Sequence, residues 1–168
     1  MDLSILEFIS KNMHQAVLNK IMIGITSLGN MGIIWLVIAI LLILNKKYRK
    51  VGFLVLCSLF LGVVFGNEIL KHAVRRMRPF YYDKNLDVLV KKPSSYSFPS
   101  GHATASFAAA CVLAKYLKKY AAVFLTLAFL IAFSRVYVCV HNPTDVIVGA
   151  LLGFICAKFT IKLEKVLN

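Results

Sequence analysis

The chain has 168 residues, 60% of them hydrophobic, with 20 Lys and Arg against 7 Asp and Glu and a formal net charge of +13. A mean hydropathy of +0.77 excludes an ordinary soluble domain. The basic surplus does not point to nucleic acid, because it sits in short runs between apolar stretches, such as Lys46, Lys47, Arg49 and Lys50, where it anchors helix ends among lipid headgroups.

Lipid offers no partners to unpaired backbone groups, so the reading is all-α, a polytopic transmembrane helical bundle. The length predicts a single domain over 1–168. Residues 1–20 mix Leu3, Ile5, Leu6, Phe8 and Ile9 with Asp2, Glu7 and Lys11, which predicts an N-terminal amphipathic helix lying at the interface rather than a signal peptide. About five spans follow. The first lies within 21–45, with Gly29, Asn30 and Gly32 as a break, and residues 21–44 carry no charged side chain. The others run over 51–71, 100–117, 120–139 and 144–162. His14 is read as interfacial and Trp35 as lipid-facing. Cys57, Cys111, Cys139 and Cys156 lie in apolar contexts and are read as buried thiols, with neither a disulfide frame nor a zinc site.

Two of these spans reach about 20 residues, the length a bilayer requires, only by taking in charge. One must include Glu68 to Lys71 and another must pass Arg135. Intramembrane charge costs about 2.5–3.5 kcal/mol on insertion scales and marks function. Counting crossings then brings Lys71, Arg78, Ser100, His102, Arg135, His141 and Asp145 to one face, with residues 72–99 as a polar loop over it. Basic residues divide evenly between the two faces. Setting aside Lys71, Arg78 and Arg135 as ligand binders tips that count toward a loop outside the cytoplasm.

The chemistry gathered on that face suits a phosphate. Arg forks and a Lys make a cage for it, and Ser100 and Gly101 open a helix whose free N–H groups favour an anion. His141 and Asp145 are spaced i, i+4, so Asp145 can hold one ring nitrogen as N–H and leave the other as a nucleophile. His102 would face it as general acid. Two His and an Asp could instead hold a metal, but the surrounding Arg and Lys would repel a cation.

Three blocks of this sequence, KHAVRRMRP from Lys71, PSGH from Pro99 and SRVYVCVHNPTD from Ser134, resemble the tripartite signature of the type 2 phosphatidic acid phosphatase (PAP2) superfamily, KxxxxxxRP, PSGH and SRxxxxxHxxxD. Every fixed position is matched, in order. The resemblance implies an integral membrane lipid phosphatase that works through a phosphohistidine, without metal or other cofactor. It implies His141 as nucleophile, Asp145 as its orienting partner and His102 as the acid. Lys71, Arg78, Ser100, Gly101 and Arg135 would bind the phosphate. In bacterial members the site faces the periplasm or exterior of the cytoplasmic membrane.

Membrane lipids and a lipid phosphate are the expected partners, with no nucleic acid and no obligate protein partner. The expected reaction converts undecaprenyl diphosphate to undecaprenyl phosphate and phosphate. Phosphatidate, phosphatidylglycerophosphate and a lipid A phosphate stay open as substrates, as does, in another class, a non-catalytic lipid-binding or transport protein on the same fold. His72, Arg75 and Arg76 are read as a solvated basic turn at least as readily as headgroup contacts. Glu68 is a candidate partner for Lys71.

Overall fold

The structure, a computed structural model, describes residues 2–166 and is helical throughout its regular elements, with no strand among the described residues. Helix α1 spans Asp2–Asn12 and α2 spans Ala16–Leu28. The single amphipathic helix expected over 1–20 is therefore two elements: residues 13–15 are non-helical and Ala16 already opens the next helix. Nor does α1 offer its whole apolar side to lipid. Leu6 and Ile9 are buried in the cluster that holds Val138 and Val140, while Phe8 is exposed.

Helix α3 spans Ile33–Leu44. The break before it falls where Gly29, Asn30 and Gly32 predicted one, with a short 3-10 turn at Asn30–Gly32 and positive φ at Met31 and Gly32. Gly32 adopts that conformation without the Cβ penalty, and the bent pair α2 and α3 meets at 47°. Trp35 corrects its sequence reading. It is fully buried and its Nε1–H donates to Ser106 Oγ at 3.1 Å, because an indole N–H is satisfied inside the bundle and not in lipid. His14 is likewise held by protein, donating from Nε2 to the Tyr137 carbonyl at 2.9 Å and lying 3.2 Å from Asp87.

Helix α4 spans Arg49–Gly62 and runs on through a π-helical stretch, Val63–Leu70, into α5, Lys71–Val74. Helix α6 is the single turn Pro79–Tyr82, with Pro at its first position. Helices α7 (Gly101–Tyr116), α8 (Ala121–Tyr137) and α9 (Pro143–Val166) complete the chain. Among the described residues three stretches are long and apolar enough to cross a membrane, Arg49–Tyr82, Lys118–Tyr137 and Pro143–Val166, and a fourth if the bent pair counts as one.

Helix α7 is the hub, packing against α4, α8 and α9. Its Ala103, Ala108, Ala109 and Ala110 are fully buried, and small side chains permit that close approach. Gly153 of α9 is required at one crossing: a Cβ there would overlap the Thr104 carbonyl oxygen and come within 2.8 Å of Ala108 N. At one end of the bundle Glu164 pairs with Lys50 and accepts from the Tyr116 hydroxyl, tying α9 to α4 and α7. The opposite ends of the same helices carry Lys71, Gly101 and Asp145. Of the cysteines, Cys139 and Cys156 are buried as expected, whereas Cys57 is exposed on the apolar flank.

Candidate active site

The three sequence blocks meet at that end. A cavity of about 1040 Å³ is lined by Lys71, Arg78, Gly101, His102, Arg135 and His141 at its polar part. It continues between α2, α3 and α4 along Ile23, Leu36, Leu56, Leu59, Phe60 and Val63. Asp145 lies behind His141, fully buried.

His141 sits in the turn 138–142 between α8 and α9. Arg78 Nη1 donates to its Nε2 at 3.3 Å. A guanidinium cannot accept, so Nε2 carries the lone pair and Nδ1 the proton. That Nδ1–H faces Ser97 Oγ at 3.5 Å and Asp145 Oδ2 at 3.8 Å. Ser97 in turn donates to Asp145 Oδ2 at 2.5 Å, and Asn142 N–H donates to the same oxygen at 2.9 Å. The pair predicted from i, i+4 spacing is thus bridged by a hydroxyl. Burial pushes the His141 imidazole down to about 3, assisted by Arg78 and Arg135 and opposed by Asp145.

Arg78 is held by both the 72–99 loop and the 138–142 turn. Its Nε donates to the Ser95 carbonyl at 2.7 Å and its Nη1 to the Val140 carbonyl at 2.8 Å. Arg135 Nη1 donates to Thr26 Oγ1 of α2 at 2.6 Å, and Arg135 Nε is buried with no partner. Lys71 Nζ donates to Asn67 Oδ1 at 3.1 Å, so its hydrogen bond goes to the preceding turn of the π stretch and not to Glu68. His102, at the second position of α7, donates from Nε2 to Asn30 Oδ1 at 3.1 Å.

The N–H of Ser100, expected to be free for an anion, is occupied. It donates to the Asp145 carbonyl at 3.0 Å, and the Ser100 Oγ caps the helix, accepting from Ala103 N. The N–H groups at the first turn with no partner within their own helix belong to Gly101 and His102. Asn30, Thr26, Asn67 and Ser97 were missed by sequence reasoning. Only Ser97 carried a signal, as a hydroxyl two residues before the PSGH block. Arg76 also departs from the solvated turn, since its guanidinium reaches Asp145 Oδ1 at 2.8 Å.

The sequence model of the PAP2 superfamily matches residues 51–167. The chain belongs to the PAP2 superfamily. It is a membrane phosphatase of that metal-independent class. Its sequence is similar to the undecaprenyl-diphosphatase of Sulfolobus acidocaldarius, 34% identical over 89% of this chain and 72% of that protein. Two solved structures resemble this PAP2 fold. The crystal structure of Aquifex aeolicus LpxE superposes with a TM-score of 0.84 at 28% identity, over 96% of this chain and 94% of that one. A transmembrane PAP2 type phosphatidylglycerolphosphate phosphatase from Bacillus subtilis superposes with a TM-score of 0.80 at 29% identity, over 99% and 86%.

Proposed function

We propose that this PAP2 protein hydrolyses a lipid phosphate at the membrane surface, with undecaprenyl diphosphate as substrate and undecaprenyl phosphate and phosphate as products. The observation that carries the reading is the cavity itself: cationic donors and two imidazoles line one part, and aliphatic side chains line the continuation toward the lipid-facing helices. A headgroup occupies the first while its tail occupies the second. The name of the Sulfolobus relative favours the diphosphate.

His141 Nε2 attacks phosphorus in line. The P–N bond forms as the bond to the leaving oxygen breaks, and His102 supplies the proton to that oxygen. His102 then takes a proton from water, whose oxygen attacks the phosphohistidine. The P–N bond breaks, inorganic phosphate leaves and both histidines return to their starting state. Asp145, directly and through Ser97, stabilises the charge that His141 gains in the first step. Lys71, Arg78, Arg135 and the Gly101 and His102 N–H groups stabilise the equatorial oxygens. The unpartnered Arg135 Nε is the donor a phosphate oxygen satisfies, while Ser100 serves this set by capping the helix. No metal takes part.

The single domain crosses the membrane five times, α7 being the third crossing in chain order and the one added to the four apolar stretches. At 16 residues it rises roughly 24 Å, and a helix wrapped by its neighbours tolerates that length. Helix α1 lies at the interface beside the site, which faces the outside of the cytoplasmic membrane.

The test is phosphate release by the detergent-solubilised protein from undecaprenyl diphosphate, phosphatidate, phosphatidylglycerophosphate and lipid A, with and without chelator and vanadate. The diphosphate is expected to be turned over fastest, unaffected by chelator and blocked by vanadate. Preference for another lipid reassigns the substrate, inhibition by chelator overturns the metal-free route, and no turnover of any of the four favours a non-catalytic lipid-binding protein.

A further inference from the structure

Behind the His141–Asp145 pair lies a charged cluster that does not line the cavity. Arg76 Nη1 donates to Asp145 Oδ1 at 2.8 Å and to Thr144 Oγ1 at 2.7 Å. Its Nη2 donates to Asp2 Oδ2 at 2.9 Å. Thr144 Oγ1 donates to that same Asp2 oxygen at 2.6 Å. Asp2, Arg76 and Thr144 therefore close a ring, and through Arg76 the ring meets a carboxylate that is fully buried. Asp145 Oδ2 faces Ser97, Asn142 and His141, and Arg76 occupies Oδ1. A planar guanidinium spreads these three donors over two nitrogens in a fixed fork, whereas an ammonium offers its three from a single rotatable point.

We propose that Arg76 is a positioning residue for the reaction, holding the orientation and moderating the charge of the Asp145 carboxylate that supports His141. The proposal rests on the reading of His141 as nucleophile. The imidazole is faced by Asp145 from α9, Arg78 from the 72–99 loop, Arg135 from α8 and His102 from α7. Arg76 acts on this set only through Asp145. Without it the buried carboxylate is uncompensated on Oδ1, turns away from the geometry that supports attack and holds a proton on His141 more strongly. Asp2 extends the same cluster to α1, so the N-terminal helix is tied to the site by an ion pair as well as by packing.

The experiment measures kcat, KM, vanadate inhibition and the pH profile of phosphate release for the wild type, Arg76→Gln and Arg76→Lys, with undecaprenyl diphosphate and phosphatidate as probes. Arg76→Gln is expected to lower kcat by about 10- to 100-fold, to leave KM and vanadate inhibition near wild type, and to move the acid limb to higher pH. Arg76→Lys, which keeps the charge without the fork, is expected to restore the acid limb while kcat recovers only in part. An unchanged kcat in either variant overturns the proposal, and so does a raised KM with weakened vanadate inhibition, which would make Arg76 a phosphate ligand. Where Arg76→Gln fails to give folded protein, kcat of Arg76→Lys decides. Absence of wild-type turnover of these two probes and also of phosphatidylglycerophosphate and lipid A fails the functional reading itself and is thereby distinguished from a failure of the Arg76 assignment.

Discussion

At the scale of the residue, the site depends on keeping one imidazole neutral among cations. A histidine in an unfolded chain takes up a proton near pH 6.5, whereas burial in this fold holds His141 down to about 3. Between those values the unfolded chain binds the extra proton, so the contribution of neutral His141 to stability is fully present above about 6.5 and falls away as pH drops toward 3. In the proposed reaction, the same shift keeps Nε2 available for attack in mild acid. The acid limb of kcat/KM is expected well below the ordinary histidine range, and a pH–rate profile of phosphate release checks it; a limb near 6.5 would show His141 to be solvated or not to be the attacking group. His141→Ala is expected to lose on the order of 10³-fold or more in kcat, as removal of a covalent nucleophile does elsewhere, while its melting in detergent stays cooperative. That Lys71, Arg78, Arg135, His102, His141 and Asp145 gather at one end of the bundle was legible because three spaced blocks carry them. Thr26 and Asn30 were not legible. Thr26 meets Arg135 across 109 residues of chain and Asn30 meets His102 across 72, and no local pattern encodes such a pairing.

Elements set how closely those residues approach. Helices α7 and α9 carry Gly101, His102 and Asp145 at neighbouring ends, and their contact is close because alanines of one face glycines of the other. Ser100 N–H donating to the Asp145 carbonyl is the last rung of that packing. Gly153→Ala places a Cβ against the Thr104 carbonyl and Ala108 N, backbone atoms that cannot move aside. It is expected to cost about 1–3 kcal/mol, read as a lowered melting temperature in detergent, with kcat falling as the two helix ends separate. An unchanged melting temperature would mean that α9 slides freely on α7. The π-helical stretch Val63–Leu70 has a related effect. It leads directly into Lys71, and Asn67 within it holds the Lys71 amine. Hydropathy located this span but could not reveal the change of helical pitch, because apolar residues satisfy either one.

For the whole molecule, the decisive feature is a cavity whose polar and apolar parts are continuous. Alkyl phosphates that stay monomeric in water can be compared without the bilayer as a competing solvent for the tail. Each buried methylene is worth about 0.8 kcal/mol, or roughly fourfold in binding. Phosphate release from such a series is expected to rise in kcat/KM by about fourfold per methylene until the apolar part is filled. A flat series would show that the tail remains outside the protein.

Hydropathy, the cost of buried charge and three spaced motifs determined by themselves that this is a helical membrane protein, that its charged helix ends share a face and which seven side chains gather there. Each of these follows from local composition or from counting crossings. Only the tertiary structure decided that Trp35 faces inward, that Ser97 bridges His141 and Asp145, that the Ser100 N–H is spent on a backbone carbonyl and that Arg76 with Asp2 backs the carboxylate. Those outcomes depend on which polar groups are buried together. A polar group in a low-dielectric interior must find whatever partner the packing brings within about 3 Å, and the order of residues along the chain does not record that partner.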